Sequence, residues 1–357
     1  MMKRAKLTEI CNPKQWKTIP TSELLEDGFP VYGANGIIGF YSEYNHDDPV
    51  VAITCRGATC GTVNITCPKA YVTGNAMCLD DVRSDVSIEY LYYNLLHYDF
   101  KKVISGSAQP QITRQGLQKV EIPLCSLEEQ SEIVRILQKT ELIIESRQRE
   151  LQSLDELIKA RFVEMFSGVN YPQVTISDLV EKKVSSAKKD FSPDEIIKYI
   201  DISSIDNKRN LMTGYTEYVF AEAPSRAQQH VKKGDILIST VRPNLRNVAL
   251  TSYEDDNLVA SSGFCILRAK KCLPSYLMAI ACSNEFTDAM SKVVTGANYP
   301  AIKDSDVMGY TVTLPPIELQ MEFERFTAQI DKSKVAIQKS LDETQMLFDS
   351  LMQQYFG

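Results

Sequence analysis

The 357-residue chain is 44% hydrophobic and 24% charged, with a net charge of −7 and a pI near 5.3. That length suits two or three domains, and the acidity argues against a protein that grips nucleic acid by bulk positive charge alone. Nine cysteines form no CxxC pair and the three histidines, His46, His97 and His230, lie far apart, which argues against a structural metal or disulfide framework and suits reduced thiols in the cytoplasm. The basic amino terminus has no apolar stretch behind it, and no run approaches the roughly 18 apolar residues of a membrane span.

In chain order, the glycine cluster YGANGIIGFY (32–41) lacks GxGxxG spacing and reads as a tight polar turn. Residues 50–54 form a short β-branched apolar run punctuated by Gly57 and Gly61, which predicts a strand. Apolar spacing predicts a helix over 89–100. A proline-bounded strand end, PLCSLEEQ, then leads into a long helix near 128–166. The pattern returns: a strand over 235–240, a helix over 274–290, a proline-bounded LPPIELQ, and a second long helix near 318–356. Between them the acidic group Glu254, Asp255 and Asp256 has no further ligands in the sequence and reads as a solvated loop rather than a cation site.

The return is a duplication. Residues 106–166 align with 296–356 at a shift of 190 without a gap, matching Pro110 with Pro300, Ile112 with Ile302, Gln130 with Gln320, Leu151 with Leu341 and Phe166 with Phe356. Upstream, VVAITCRGATCGTVN resembles ILISTVRPNLRNVA, and AMCL resembles GFCI. Each half is thus a globular unit followed by a long helix. Apolar or tolerated positions recur every three or four residues, through Ile133, Ile136, Thr140, Ile144, Leu151, Leu154, Ile158 and Met165 in one helix. In the other they run through Phe323, Phe326, Ile330, Ile337, Leu341, Thr344, Phe348, Leu351 and Tyr355. A 39-residue helix would be roughly 58 Å long, and each is the other's most economical cover. By segment, net charge is −1 over 1–127, −3 over 128–168, 0 over 169–317 and −3 over 318–357, so the helices carry the acidity. No GxxxxGK[ST], GxSxG or HExxH motif occurs.

These strings together resemble the specificity subunit of type I restriction-modification systems, above all GSAQPQITRQGLQKVEIPLCSLEEQSEIVRIL, its second version TGANYPAIKDSDVMGYTVTLPPIELQMEF, and PVYGANGIIGFY with ITCRGATCGTVN. The resemblance covers essentially the whole chain. It implies an α+β tandem repeat: target recognition domains over 1–127 and 169–317, spacer helices over 128–168 and 318–357, and the helices packed as an antiparallel coiled coil with pseudo-twofold symmetry. It further implies a subunit with no catalytic residues or cofactor of its own. Each domain would read one half of a bipartite asymmetric site in double-stranded DNA, and two methyltransferase subunits would dock on the helices. S-adenosylmethionine, ATP and Mg would belong to those partners and to motor-nuclease subunits. A structural adaptor with two protein-binding heads is the competing reading; it accounts for the helices but not for family-like text in both globular units.

Candidate DNA-contacting residues are Arg56, Thr59, Lys69, Asn75, Gln109 and Gln111 in the first unit, and Arg242, Asn244, Arg246, Asn247, Asn298 and Lys303 in the second. Arg and Lys can donate to guanine or phosphate, and Asn and Gln can pair bidentately with adenine. Asn35, Asn75, Asn244 and Asn298 also lie beside turn formers, where capping their own backbone is an equal alternative. Arg56 and Arg242 are expected at similar places after similar strands, where phosphate positioning suits them as well as base readout. Tyr32 and Tyr299 are expected to pack rather than edge the DNA.

Overall fold

A computed structural model describes residues 3–34, 36–106, 109–296 and 300–357. The chain divides into two compact units, Met1–Arg149 with Gln338–Gly357, and Glu150–Ile337. Each unit therefore contains one globular head, the start of the helix that follows it, and the end of the other long helix.

In unit 1 an antiparallel sheet runs Asn12–Gln15, Ala76–Asp80, Val51–Thr54, Val63–Ile65. A second sheet pairs Phe29–Gly33 antiparallel with Gly36–Tyr41 and parallel with Tyr71–Val72. Along Ala76–Asp80, side chains alternate between two cores. Met77 and Leu79 enter the main core with Tyr90, Leu91 and Leu95 of the helix Ile88–His97; Ala76 and Cys78 enter a smaller one with Tyr32, Val50 and Val72. Lys3–Lys6 pairs with Glu121–Leu124 and so brings the head's first strand to the start of the long helix.

Unit 2 repeats the plan with Val248–Leu250, Ile236–Ser239 and Phe264–Leu267 in one antiparallel sheet. It adds a mixed four-stranded sheet, Thr216–Val219, Ile196–Ile200, Leu258–Ser261, Ala227–His230. The single helix expected over 274–290 is two, Pro274–Ala281 and Asn284–Lys292. The break has a local cause: the Ser283 hydroxyl accepts the Phe286 N–H at 3.1 Å and caps a new helix start. The helix expected over 89–100 ends earlier, at His97.

The long helices span Leu127–Phe166 and Ile317–Phe356. The first opens on a capping box: Ser126 Oγ accepts the Glu129 N–H at 3.3 Å, and the Glu129 carboxylate accepts the Ser126 N–H at 2.9 Å. Within each unit the paired helix segments run antiparallel. In unit 2, Arg161 meets Glu322 at 2.7 Å and Asp155 meets Lys334 at 2.5 Å, so residue numbers rise along one helix as they fall along the other. In unit 1, Ile133, Val134 and Leu137 share a core with Phe348, Met352 and Phe356. The seam thus includes Val134 and Leu137, which the predicted stripe left out.

The duplicated residues make duplicated contacts. Gln130 and Gln320 are buried, and each accepts a backbone N–H from the start of its head's helix, Ser87 and Leu273, both at 2.9 Å. The Tyr90 hydroxyl donates to the Pro123 carbonyl at 2.8 Å and the Tyr276 hydroxyl to that of Thr313 at 2.5 Å. Tyr90 also packs on Phe356 and Tyr276 on Phe166, with ring centroids 5.5 and 5.1 Å apart. Each head therefore receives the terminal phenylalanine of the helix that follows the other repeat.

Candidate nucleic-acid interface

In unit 1 the strand Val51–Thr54 ends in a turn that three distant segments hold. The Cys55 N–H donates to the Asn75 carbonyl at 3.0 Å, its carbonyl accepts the Ile112 N–H at 3.0 Å, and the Gly57 N–H donates to the Pro110 carbonyl at 3.3 Å. Arg56 and Gln111 are bridge partners. The Thr54 hydroxyl donates to the Ala34 carbonyl at 2.5 Å, and the Thr59 hydroxyl lies 3.5 Å from the same oxygen. Arg56, Thr59, Asn75 and Gln111 are thereby gathered at one edge of the head, with Gln109 exposed beside them. Lys69 is not among them: it sits at the far end of Tyr71–Val72, in a left-handed conformation (φ 54°), with its N–H on the Asp47 carbonyl. Tyr32 is buried and its hydroxyl accepts the Cys67 N–H, so it packs as expected.

Unit 2 builds the same edge. Ile236–Ser239 leads into Val241, which bridges Ala301; the Ile302 N–H donates to the Thr240 carbonyl at 2.9 Å, and the Arg242 N–H to the Pro300 carbonyl at 2.8 Å. Superposing these pairings corrects the expected equivalence. Val241 is the counterpart of Arg56, and Arg242 is the counterpart of Gly57, because the strand pairing sets the register and places the two arginines one residue apart. Arg242, Asn244 and Lys303 are exposed. Arg246 and Asn247 are half-buried beside Phe286, Met290 and Ile302 around a cavity of about 10 Å³. Asn35, Asn298 and Tyr299 lie outside the described residues. Among the described residues, the Arg56 and Arg242 side chains have no hydrogen-bond or ion-pair partner.

Sequence reasoning missed a cleft of about 280 Å³ next to Gln111, lined by Lys14, Gln15, Thr113 and Arg114. Arg114 reaches the Asn12 amide oxygen at 2.9 Å, and Lys14 stands 3.7 Å from the Trp16 ring centre. The repeat held a signal: Arg114 aligns with Asp304 at the shift of 190, a charge reversal in otherwise matched text.

Other polar groups are internally committed. Lys233 pairs with Glu254 and Lys198 with Asp255 at 2.6 Å, so two members of the acidic group anchor lysines. His230 has Asp190 at 2.6 Å on one ring nitrogen and the Asp256 carbonyl at 2.9 Å on the other. The fold also gathers His46, Cys78 and Asp80, which no sequence spacing suggested. Asp80 takes His46 Nε2 and the Trp16 N–H, both at 3.1 Å, while His46 Nδ1 faces Asn45 Oδ1 at 2.7 Å. Burial pushes the Cys78 thiol up. Because the carboxylate and both ring nitrogens already have protein partners, the group reads as a tie between the two sheets.

Burial pushes the Cys11 and Cys272 thiols up to about 12, the reverse of what a nucleophilic cysteine needs. At pH 8, iodoacetamide should leave both unmodified in the native protein and alkylate both in denaturant, as read by peptide mass mapping.

The fold and this paired edge define a tandem protein of two α/β heads joined to two long helices. A sequence model of the type I restriction modification DNA specificity domain matches residues 2–156 and again 169–344, and the chain belongs to that family. It is 29% identical over 149 residues to the EcoprrI specificity subunit of Escherichia coli, covering 40% of this chain and 37% of that protein. It is 20% identical over 302 residues to the MjaIX specificity subunit of Methanocaldococcus jannaschii, covering 76% and 68%. The first of these matches spans little more than a third of its relative's length. Among solved structures, the type I restriction-modification S subunit of M. genitalium shares the fold, with a TM-score of 0.63 at 14% identity over 100% of this chain and 96% of that one. Another, from work on assembly and conformational transition of a type I system, reaches 0.54 at 16% identity, over 99% and 97%. No helix among the described residues is long and apolar enough to cross a membrane.

Proposed function

We propose that the chain is the non-catalytic DNA-reading subunit of a type I restriction-modification complex. Each head reads one half of an asymmetric split site, and the helix pair sets the spacing between the halves. The observation that carries this reading is the exchange of helix ends, Phe356 on Tyr90 and Phe166 on Tyr276. Each head holding the end of the other repeat's helix supports a spacing set by the helices rather than by either head. Divergent text after the equivalent strands, Gly57 against Arg242 and Arg114 against Asp304, supports unlike half-sites. The first reader's candidates are Arg56, Thr59, Asn75, Gln109 and Gln111, with Lys69 on a separate face; the second reader's are Arg242, Asn244, Lys303 and, more enclosed, Arg246 and Asn247, with Asn298.

The helices support a docking role. Leu142, Ile143, Met346 and Leu347 are exposed in unit 1, and Val163, Met321 and Val335 in unit 2. Such apolar residues on acidic rods suit protein partners better than phosphates. Those partners are two methyltransferase subunits carrying S-adenosylmethionine, joined by motor-nuclease subunits that use ATP and Mg. They would also supply phosphate contacts that an acidic chain lacks.

The test is single-molecule sequencing of adenine methylation in DNA treated with the reconstituted complex. A two-part motif is expected, with roughly one helical turn or less of unread sequence between its parts. Exchanging the first head should alter one part only. A single continuous motif, or methylation by this chain without partners, contradicts the division of labour.

A further inference from the structure

Three of the five non-glycine residues with left-handed backbone among the described residues converge on one loop of unit 2: Asn210 (φ 52°), Arg242 (φ 50°) and Arg246 (φ 54°). Asparagine tolerates this region, but a long side chain crowds its own carbonyl there and is disfavoured. The loop is nevertheless strapped into place. Pro243–Leu245 forms a single 3-10 turn closed by the Arg246 N–H on the Pro243 carbonyl at 3.0 Å. The Asn207 amide donates to the Leu245 carbonyl at 2.8 Å, and the Asn210 amide to the Arg246 and Val248 carbonyls at 3.3 and 3.2 Å. Both asparagines come from a separate hairpin, in which Ile205–Asp206 pairs with Leu211–Met212.

The first unit shows what this backbone position needs. Its counterpart of Arg242 is Gly57 at φ 88°, where an added Cβ would meet nothing within 4 Å. The dihedral angle, not space, is what favours glycine there. Unit 2 carries an arginine instead, exposed, and with no partner for its guanidinium among the described residues. An unfavourable conformation kept for a side chain that does nothing inside the fold points outward.

We propose that Arg242 is a specificity-determining residue of the second head, reading the paired O6 and N7 acceptors of a guanine, with Asn207 and Asn210 as its positioning residues. The planar guanidinium fork matches those two acceptors in the major groove, and the strapped backbone fixes its root. The inference rests on the reading of the heads as DNA readers.

The test uses the reconstituted methyltransferase complex with the parent chain, Arg242→Gly, Arg242→Lys and the double variant Asn207→Ala with Asn210→Gly. Glycine satisfies the left-handed backbone, so Arg242→Gly should unfold at or above the parent temperature. It should lose about 5- to 150-fold of the preference for guanine at one position of the second half-site, with the first half-site unchanged. Arg242→Lys keeps the charge without the fork and should not restore the preference. The double variant should weaken the same position while Arg242 is still present. Full recovery with lysine would make Arg242 a phosphate contact and overturn the assignment, as would an unchanged second half-site in Arg242→Gly or a marked fall in its unfolding temperature. The parent chain and a second-head exchange separate the two levels: if the exchange does not change one half-site, the two-reader function itself fails.

Discussion

Phe356→Ala destabilises unit 1 by about 3–5 kcal/mol, and Phe166→Ala destabilises unit 2 by a similar or larger amount, the usual range for emptying a buried phenylalanine site. Both side chains are buried, and both pack edge-on to a buried head tyrosine. Phe166 also meets Phe162 and Phe323 with centroids 5.0 and 5.5 Å away, so its removal forfeits more aromatic contacts. Segment-resolved hydrogen exchange is the appropriate readout, because two units need not unfold as one. Phe356→Ala should speed exchange in Ala76–Asp80 and Ile88–His97 while Phe264–Leu267 and Pro274–Ala281 stay protected; Phe166→Ala should do the reverse. Loosening of the first head by Phe166→Ala would mean that each helix serves its own repeat, and the exchange of helix ends would be wrong.

The long helices were legible because an ungapped match with no proline inside either run leaves nothing to end a helix. Their observed spans, Leu127–Phe166 and Ile317–Phe356, lie within a residue of the runs near 128–166 and 318–356 read from the spacing; the 128–168 and 318–357 bounds implied by the resemblance run two and one residues past the helix ends. Which side chains enter the seam was less legible. Leu137 is fully buried where the stripe had chosen Ile136, and Lys334 lies on the seam because Asp155, 179 residues away, receives it. A local period cannot know the rotation that a distant partner imposes. The same limit governs the candidate interface. Arg56, Asn75 and Gln111 are neighbours only through backbone bonds between three separate segments. Arg242 was matched to Arg56 because the two loops differ in text and the aligned strings could slip by one residue; the bonds to Pro110 and Pro300 settle the register. Lys14, Gln15 and Arg114 were passed over because only the fold brings their two stretches, together with Met77, around one cleft.

Gln130→Leu costs unit 1 about 2–3 kcal/mol, and the glutamine's identity with Gln320 across the repeat acquires its physical meaning in that loss. The Gln130 amide accepts the Ser87 N–H at 2.9 Å and donates to the Asp85 and Cys125 carbonyls at 2.8 and 3.0 Å. It thereby ties the start of the head helix to the start of the long one. Leucine fills a similar volume but leaves the half-buried Ser87 N–H without that acceptor; an orphaned backbone donor costs about 1–3 kcal/mol, to which weakened carbonyl contacts add. Gln320 makes one bond fewer, accepting the Leu273 N–H and donating to the Pro315 carbonyl, each at 2.9 Å. Gln320→Leu should therefore cost somewhat less. Glutamate is the sharper probe, because a carboxylate keeps the acceptor but turns the donor into a charge facing carbonyl oxygens. Gln130→Glu should be more damaging than Gln130→Leu at neutral pH and should recover part of the difference in acid, where the protonated group can donate again. Urea unfolding of the three variants at pH 7 and pH 5 measures the order. If leucine were tolerated within about 0.5 kcal/mol, the level of a neutral surface change, the repeated glutamine would not be a clamp, and the angle at which each head meets its helix would have to be held by the tyrosine bonds to Pro123 and Thr313 alone.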